Sequence, residues 1–154
     1  GKAEGENGDA LKGVGDGGDG AANKDAGKLF KTRAGALDAV AAVEKAATAV
    51  SAVSGKQILK AIVEAAAGAD QAGAQANAAK NPIAAAIGEA NDNGAAFTGE
   101  MQKNDKIAAA IVLRGLAKDG KFAAANADGA KKESVKGVVE SAVSEMSAWL
   151  EAMI

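Results

Sequence analysis

Apolar residues recur at spacings of three and four in successive stretches of this chain, the period of helices with one buried face. Val40, Val43, Ala47, Val50 and Val53 predict a helix from about Leu37 to Val53. Ser54-Gly-Lys-Gln57 then fits a capping box, in which Ser54 and Gln57 satisfy the opening turn of the next helix. Ile58, Leu59, Ile62, Val63 and Ala66 supply its stripe, and Gly68 and Gly73 weaken its far end, so it should fray near Ala72. Asn81-Pro82 is a start signal: Asn caps, and Pro occupies the first helical position, where its missing N–H is harmless. Ile83 and Ile87 should face the core, and Gly88 should stop the turn.

Two further stretches complete the pattern. From Asp105 to Lys118 the body is almost wholly apolar, which predicts a helix buried over most of its surface. Asp105 is placed to cap its first turn, Lys118 suits its negative end, and Gly120 supplies a left-handed stop. Val135, Val138, Val139, Ala142, Val143, Met146, Trp149, Leu150 and Met153 make a stripe along a last helix from about Glu133 to Ile154. Between these helices the chain turns polar and glycine-rich. Residues 1–35 carry ten of the twenty glycines and read as a mobile loop or linker. Glu89 to Gly99 and Ala123 to Lys132 read as surface loops. The expectation is an all-α fold: a compact bundle of about five helices joined by long Gly/Ala/Asn/Asp-rich loops. Its 154 residues suit one domain, divided into a mobile 1–35, a core at 36–125 and a terminal helix at 133–154.

Composition sharpens this picture. The apolar fraction is 48%, but much of it is alanine and only 3% of residues are aromatic. A buried Leu or Ile contributes roughly 1.5–3 kcal/mol and an Ala much less, so the core should be thin and closely packed. Net charge is −2, from 18 basic and 20 acidic residues without strong clustering. That argues against a nucleic-acid surface or a polybasic membrane patch. Without Cys there is no disulfide or thiol nucleophile, and without His the commonest general base and transition-metal ligand are missing. No apolar run of about 18 residues is present to span a bilayer. No signal peptide or lipid-acceptor Cys occurs within these residues.

Candidate chemistry is correspondingly sparse, and no catalytic, cofactor or metal residue is assigned. A Ser54–Lys56 dyad is conceivable, but the capping box explains Ser54 better. Asp16 and Asp19 lack the alternating ligands and terminal Glu of a calcium loop and read as solvated turn residues. Gly13-x-Gly15-x-x-Gly18 matches a dinucleotide fingerprint by letter only, with no strand before it and no helix directly after. Arg114, the one charge in the body of its helix, has two readings. Its stem packs on the core while the guanidinium finds a carbonyl or carboxylate, or it is a recognition contact. Trp149 is either a core anchor between helices or an interface anchor.

Met101-Gln-Lys-Asn followed by Asp105 through Phe122 resembles the invariant segment of the variable large surface lipoproteins of Lyme and relapsing-fever Borrelia, the Vlp/VlsE family. Three more blocks resemble the family in its order: Ala26-Gly-Lys-Leu-Phe, Ala46 through Val63, and Lys80 through Gly88. On that resemblance Met101, Asp105, Ile107, Ile111, Arg114, Lys118, Gly120 and Phe122 mark the constant helix. Lys136 through Val143 is similar to the family's C-terminal side, whereas Ser141 through Ile154 is more like the helix at its N-terminal side. A recombination-cassette junction and a truncated or rearranged protein both account for that.

The resemblance implies a non-enzymatic antigen on the outer surface of the outer membrane, lipid-anchored through a segment absent from these residues. It implies immune evasion by antigenic variation, with host antibodies as partners and a homodimer as a possible assembly. Gly8–Asn23, Ala69–Ala79, Glu89–Gly99 and Ala124–Lys132 would vary over a constant scaffold. The alternative is an adhesin for a host protein or glycosaminoglycan, using Lys103, Lys106, Arg114, Lys118 and Lys121, which do not share one helical face.

Overall fold

The computed structural model describes residues 11, 13–32, 39–69, 72–117 and 129–153. Among them the regular structure is helical, with one isolated antiparallel bridge between Asp19 and Lys103. A 3-10 helix spans Ala21–Phe30, followed by α1 (Ala39–Ser51), α2 (Gly55–Ala67), α3 (Pro82–Ile87), a 3-10 turn at Gly99–Met101, α4 (Asn104–Leu116) and α5 (Gly129–Met153). No described helix is both long and apolar enough to cross a bilayer.

The locally written starts form as read. Ser54 accepts the Gln57 N–H at 3.3 Å, and the Gln57 side chain accepts the Ser54 N–H at 2.9 Å, closing the capping box on α2. Asn81 Oδ1 accepts the Ala84 N–H at 2.9 Å with Pro82 at the first helical position. Gly88, at φ 69°, ends α3 in a backbone conformation that disfavours any side chain.

Helix α4 lies between two apolar clusters, which explains its nearly continuous hydrophobicity. Ile107, Ala110 and Ile111 join Leu29, Phe30, Phe97 and Met101 with the inner faces of α1 and α3. Ala108, Ala109 and Val112 join Val50, Ile58, Ala61 and Ala142, bringing in α2 and α5. Every residue from 107 to 112 is fully buried. A helix packed on both sides has no polar stripe to keep. The small side chains allow close approach: a Cβ on Gly55 would stand 2.6 Å from the Glu145 carbonyl oxygen. Only glycine lets the start of α2 sit directly under the backbone of α5.

Several expectations are corrected. The described part of 1–35 is an ordered, packed segment, with Ala26, Leu29 and Phe30 buried. The glycine-rich stretch 13–20 is indeed non-helical, and the helix forms just beyond it at Ala21–Phe30, which holds one glycine and buries an aromatic ring in the main core. Glu89 to Gly99 is not simply a surface loop, since Asp92, Gly94 and Phe97 are buried. Phe97 packs its ring 5.3 Å from that of Phe30. Ile87, expected in the core, is 60% exposed, because it is the last residue of the short α3 and no later turn covers it. Helix α2 ends at Ala67, where the Gly68 N–H bonds back to the Ala65 carbonyl, before the predicted fraying point.

Candidate functional site

The segment flagged around α4 opens on Met101, which is fully buried at the end of its 3-10 turn. Asp105 is not the cap. Helix α4 starts one residue earlier than read, so Asp105 sits inside the first turn, where its Oδ1 accepts the Lys106 N–H at 2.9 Å. Its charge still favours the helix N-terminus. Lys103 holds the cap position, and its side chain makes no hydrogen bond to the helix's own amides. The first helical amide, that of Asn104, is met instead by a second stretch of backbone.

That stretch is a strap formed by residues 14–20. Asn104 N–H donates to the Gly18 carbonyl at 3.2 Å, and Gly20 N–H donates to Gln102 at 3.0 Å. Asn104 Nδ2 reaches the Asp19 carbonyl at 3.2 Å, while Asn23 Nδ2 reaches Asn104 Oδ1 at 2.9 Å. On its other edge, Gln57 Nε2 donates to the Asp16 carbonyl at 2.9 Å and Lys60 Nζ to that of Val14 at 2.6 Å. A Cβ on Gly20 would lie 2.6 Å from the Lys103 carbonyl carbon, so the strap's approach depends on glycine. Lys103 Nζ bonds Asp16 Oδ2 at 3.2 Å. The Asp16 carboxyl is held below its ordinary pKa, first by the Gly18 N–H it accepts and then by Lys103. Lys103 is raised in turn by its bond to Asp16.

At the other end of α4, Arg114 is 7% exposed, with its guanidinium carbon 5.0 Å from the centre of the Phe30 ring. Burial lowers its pKa, and the charge of Asp92 opposes that shift. Asp92 is the residue that the sequence reading missed. It is 1% exposed and gathers three segments: its Oδ2 accepts the Ala76 N–H at 3.0 Å, its Oδ1 accepts the Gly94 N–H at 2.8 Å, and its backbone pairs with Thr32. A lone Phe in a Gly/Ala/Asn-rich stretch was the available signal that this loop turns inward. The packed stem of Arg114 agrees with its core reading.

The remaining candidates separate. Lys118, Gly120, Phe122 and Lys121 lie outside the described residues, and α4 ends at Leu116 with Ala117 extended, before the predicted Gly120 stop. Trp149 is half-buried on α5, with Lys56 Nζ 5.8 Å from its ring centre across α2. That placement takes Lys56 to the indole, and Ser54 is already a cap, so the dyad is not assembled. Asp16 and Asp19 accept N–H groups two residues ahead, at Gly18 and Ala21, as turn residues do. Among the described residues no three acidic side chains gather as a metal site. Of the basic residues considered for an adhesin, Lys103 pairs with Asp16, Lys106 pairs with Glu100 at 3.4 Å, and Arg114 is buried. These three, the described members of that set, do not form an open basic face.

What the geometry presents is a helix whose middle, residues 107–112, is fully buried, while Leu116 at its end is exposed and residues 89–91 and 98–100 of the neighbouring segment face solvent. The family model described as Borrelia lipoprotein matches residues 1–154. The chain belongs to the Borrelia lipoprotein family. Within that family it is similar to variable large protein 25 of Borrelia hermsii, at 36% identity over 132 residues covering 86% of this chain and 35% of that protein. It is similar also to variable large protein 18 of the same organism, at 36% identity over 119 residues, covering 76% of this chain and 31% of the relative. Among solved structures, the Lyme disease variable surface antigen VlsE of Borrelia burgdorferi superposes with a TM-score of 0.83 at 47% identity, covering 99% of this chain and 50% of VlsE. This Borrelia lipoprotein chain thus spans about a third of the curated relatives and half of VlsE.

Proposed function

We propose that the chain is part of an outer-surface antigen that evades antibodies by varying its exposed segments around a hidden α4, and that it is not an enzyme. The observation that carries this reading is the complete burial of residues 107–112 in a family whose relatives include a variable surface antigen. Antibodies need solvent-accessible side chains, and here those are offered by residues 89–91, 93 and 98–100 and by the outer face of α5. Exposed positions away from buried features change at a cost usually within about 0.5 kcal/mol. They are therefore free to drift or be exchanged while α4 stays fixed by its neighbours. The lipid anchor implied by the family would hold the full-length protein to the outer membrane, with host antibodies as its physiological binding partners.

The test uses intact cells expressing the full-length parent. Antibodies raised against residues 101–122 are compared with antibodies against 89–100. The expected result is binding of the second on live cells, lost after surface proteolysis, with binding of the first only after denaturation. Equal labelling of both on live cells, or labelling of neither, overturns the proposal.

A further inference from the structure

The tightly bonded turn at Asp92-Asn93-Gly94 holds a reactive dipeptide in an unreactive state. An Asn followed by Gly is the sequence most prone to lose ammonia spontaneously, because glycine offers no side chain to block attack by its own amide nitrogen. In that reaction the Gly94 nitrogen gives up its proton and bonds to the Asn93 side-chain carbon. The bond from that carbon to Nδ2 breaks, and ammonia leaves. Water then opens the cyclic imide at either carbonyl, giving aspartate or isoaspartate, with no oxidant or cofactor required.

The fold opposes the first step in two ways. Gly94 N–H, the group that must lose its proton, donates to the Asp92 carboxylate at 2.8 Å in a buried position. Deprotonation there would set two negative charges against each other away from water. The nitrogen must also swing toward Asn93, yet Gly94 sits at φ 78° wedged against the end of the first 3-10 helix. A Cβ built on it would lie 2.8 Å from Lys31 Cβ and 3.1 Å from the Lys28 carbonyl oxygen. Asp92 is itself fixed by Ala76 and Thr32, so the turn does not relax alone.

We infer that Asn93 is a conformation-gated deamidation site, silent in the folded chain and reactive once the 92–94 turn opens. The isoaspartate product adds a methylene to the main chain between residues 93 and 94. Gly94 then no longer fits between Lys28, Lys31 and the Asp92 carboxylate, so a chain modified while unfolded does not return to this structure. This inference stands on the turn's geometry and is independent of the antigen reading.

The experiment incubates the protein at mildly alkaline pH folded and in urea, with a free peptide of residues 89–98 in each buffer as the unconstrained reference. Peptide mapping by mass spectrometry follows ammonia loss at Asn93. Relative to the peptide, the folded chain should react at least about tenfold more slowly, because only the locally opened population reacts, and the urea-unfolded chain should match the peptide. After removal of urea, the isoaspartate-bearing fraction should remain protease-sensitive, while an Asn93→Asp variant, with the same charge but an ordinary backbone, should refold. Peptide-like reaction in the folded protein overturns the gating. Full refolding of the isoaspartate form, or failure of Asn93→Asp to refold, overturns the backbone-length argument.

Discussion

A single buried carboxylate, Asp92, ties together segments that are distant in sequence. It accepts N–H groups from Ala76 and Gly94 and supplies the negative charge that opposes the effect of burial on Arg114. Asp92→Ala should therefore destabilise the protein by about 2–4 kcal/mol, since two buried donors lose their acceptor and a buried cation loses a counter-charge. Urea unfolding monitored by circular dichroism measures it; a loss below that of an ordinary surface substitution contradicts the assignment. Asp16 makes the opposite kind of contact, exposed and titratable. Its folded pKa lies below 3.8, so what it contributes is fully present above that value and is lost as pH falls through the lowered one. Lys103, raised above 10.5, keeps its contribution below that value and loses it as pH climbs through the higher one. An NMR titration of the Asp16 carboxyl should give a midpoint below 3.8, and Lys103→Ala should move it upward. The sequence showed Asp16 as a turn residue but gave no sign of its partner, which lies 87 positions away.

At the scale of elements, local chemistry was legible and distant packing was not. The Ser54–Gln57 box and the Asn81-Pro82 start are complete within four residues, so reading along the chain recovers them. The buried body of α4 was legible because two-sided packing removes its polar face. Its start was misplaced by one residue because the Gly18 carbonyl, remote in sequence, accepts the Asn104 N–H and lets the helix open ahead of Asp105. The first 3-10 helix was missed for a related reason: it was grouped with the glycine-rich stretch before it, and its packing on α1, Phe97 and α4 comes from residues far along the chain. The α2–α5 contact offers a direct check. Gly55→Ala places a methyl against the Glu145 backbone and should push α5 outward, at about 1–3 kcal/mol for overpacking. Trp149 is the chain's single tryptophan and lies across that contact, so its fluorescence should shift to the red. An unchanged emission spectrum would mean that α5 does not rest on Gly55.

For the whole molecule, concealment of α4 is shared between the bundle and the strap. The bundle covers residues 107–112, whereas the backbone of the front turn is met by the strap at Gly18, Asp19 and Gly20, with Asn23 bonding the Asn104 side chain beside it. Gly20→Ala should lift the strap because the new methyl collides with the Lys103–Asn104 peptide. Hydrogen exchange at residues 102–106 should rise while residues 107–112 remain protected, and an antibody against 101–106 should gain binding to the folded protein. Simultaneous loss of protection across both stretches would show that strap and bundle unfold as one unit.

The three-way junction at Asp92 also limits how this kind of chain is able to diversify. Segments near residues 32, 76 and 94 are far apart in sequence yet converge on Asp92: the Ala76 and Gly94 N–H groups meet its carboxylate, and Thr32 meets its backbone. Main-chain N–H and C=O groups are present whatever the side chain, proline's missing N–H apart. Any exchange of segments between related copies would therefore inherit a rule of spacing at these three points. Apart from Asp92 and the Thr32 hydroxyl, side chains around the junction would be open to replacement so long as each imported piece delivered its backbone group to the same point. Insertions or deletions have to fall on the outer arcs, where no such appointment has to be kept.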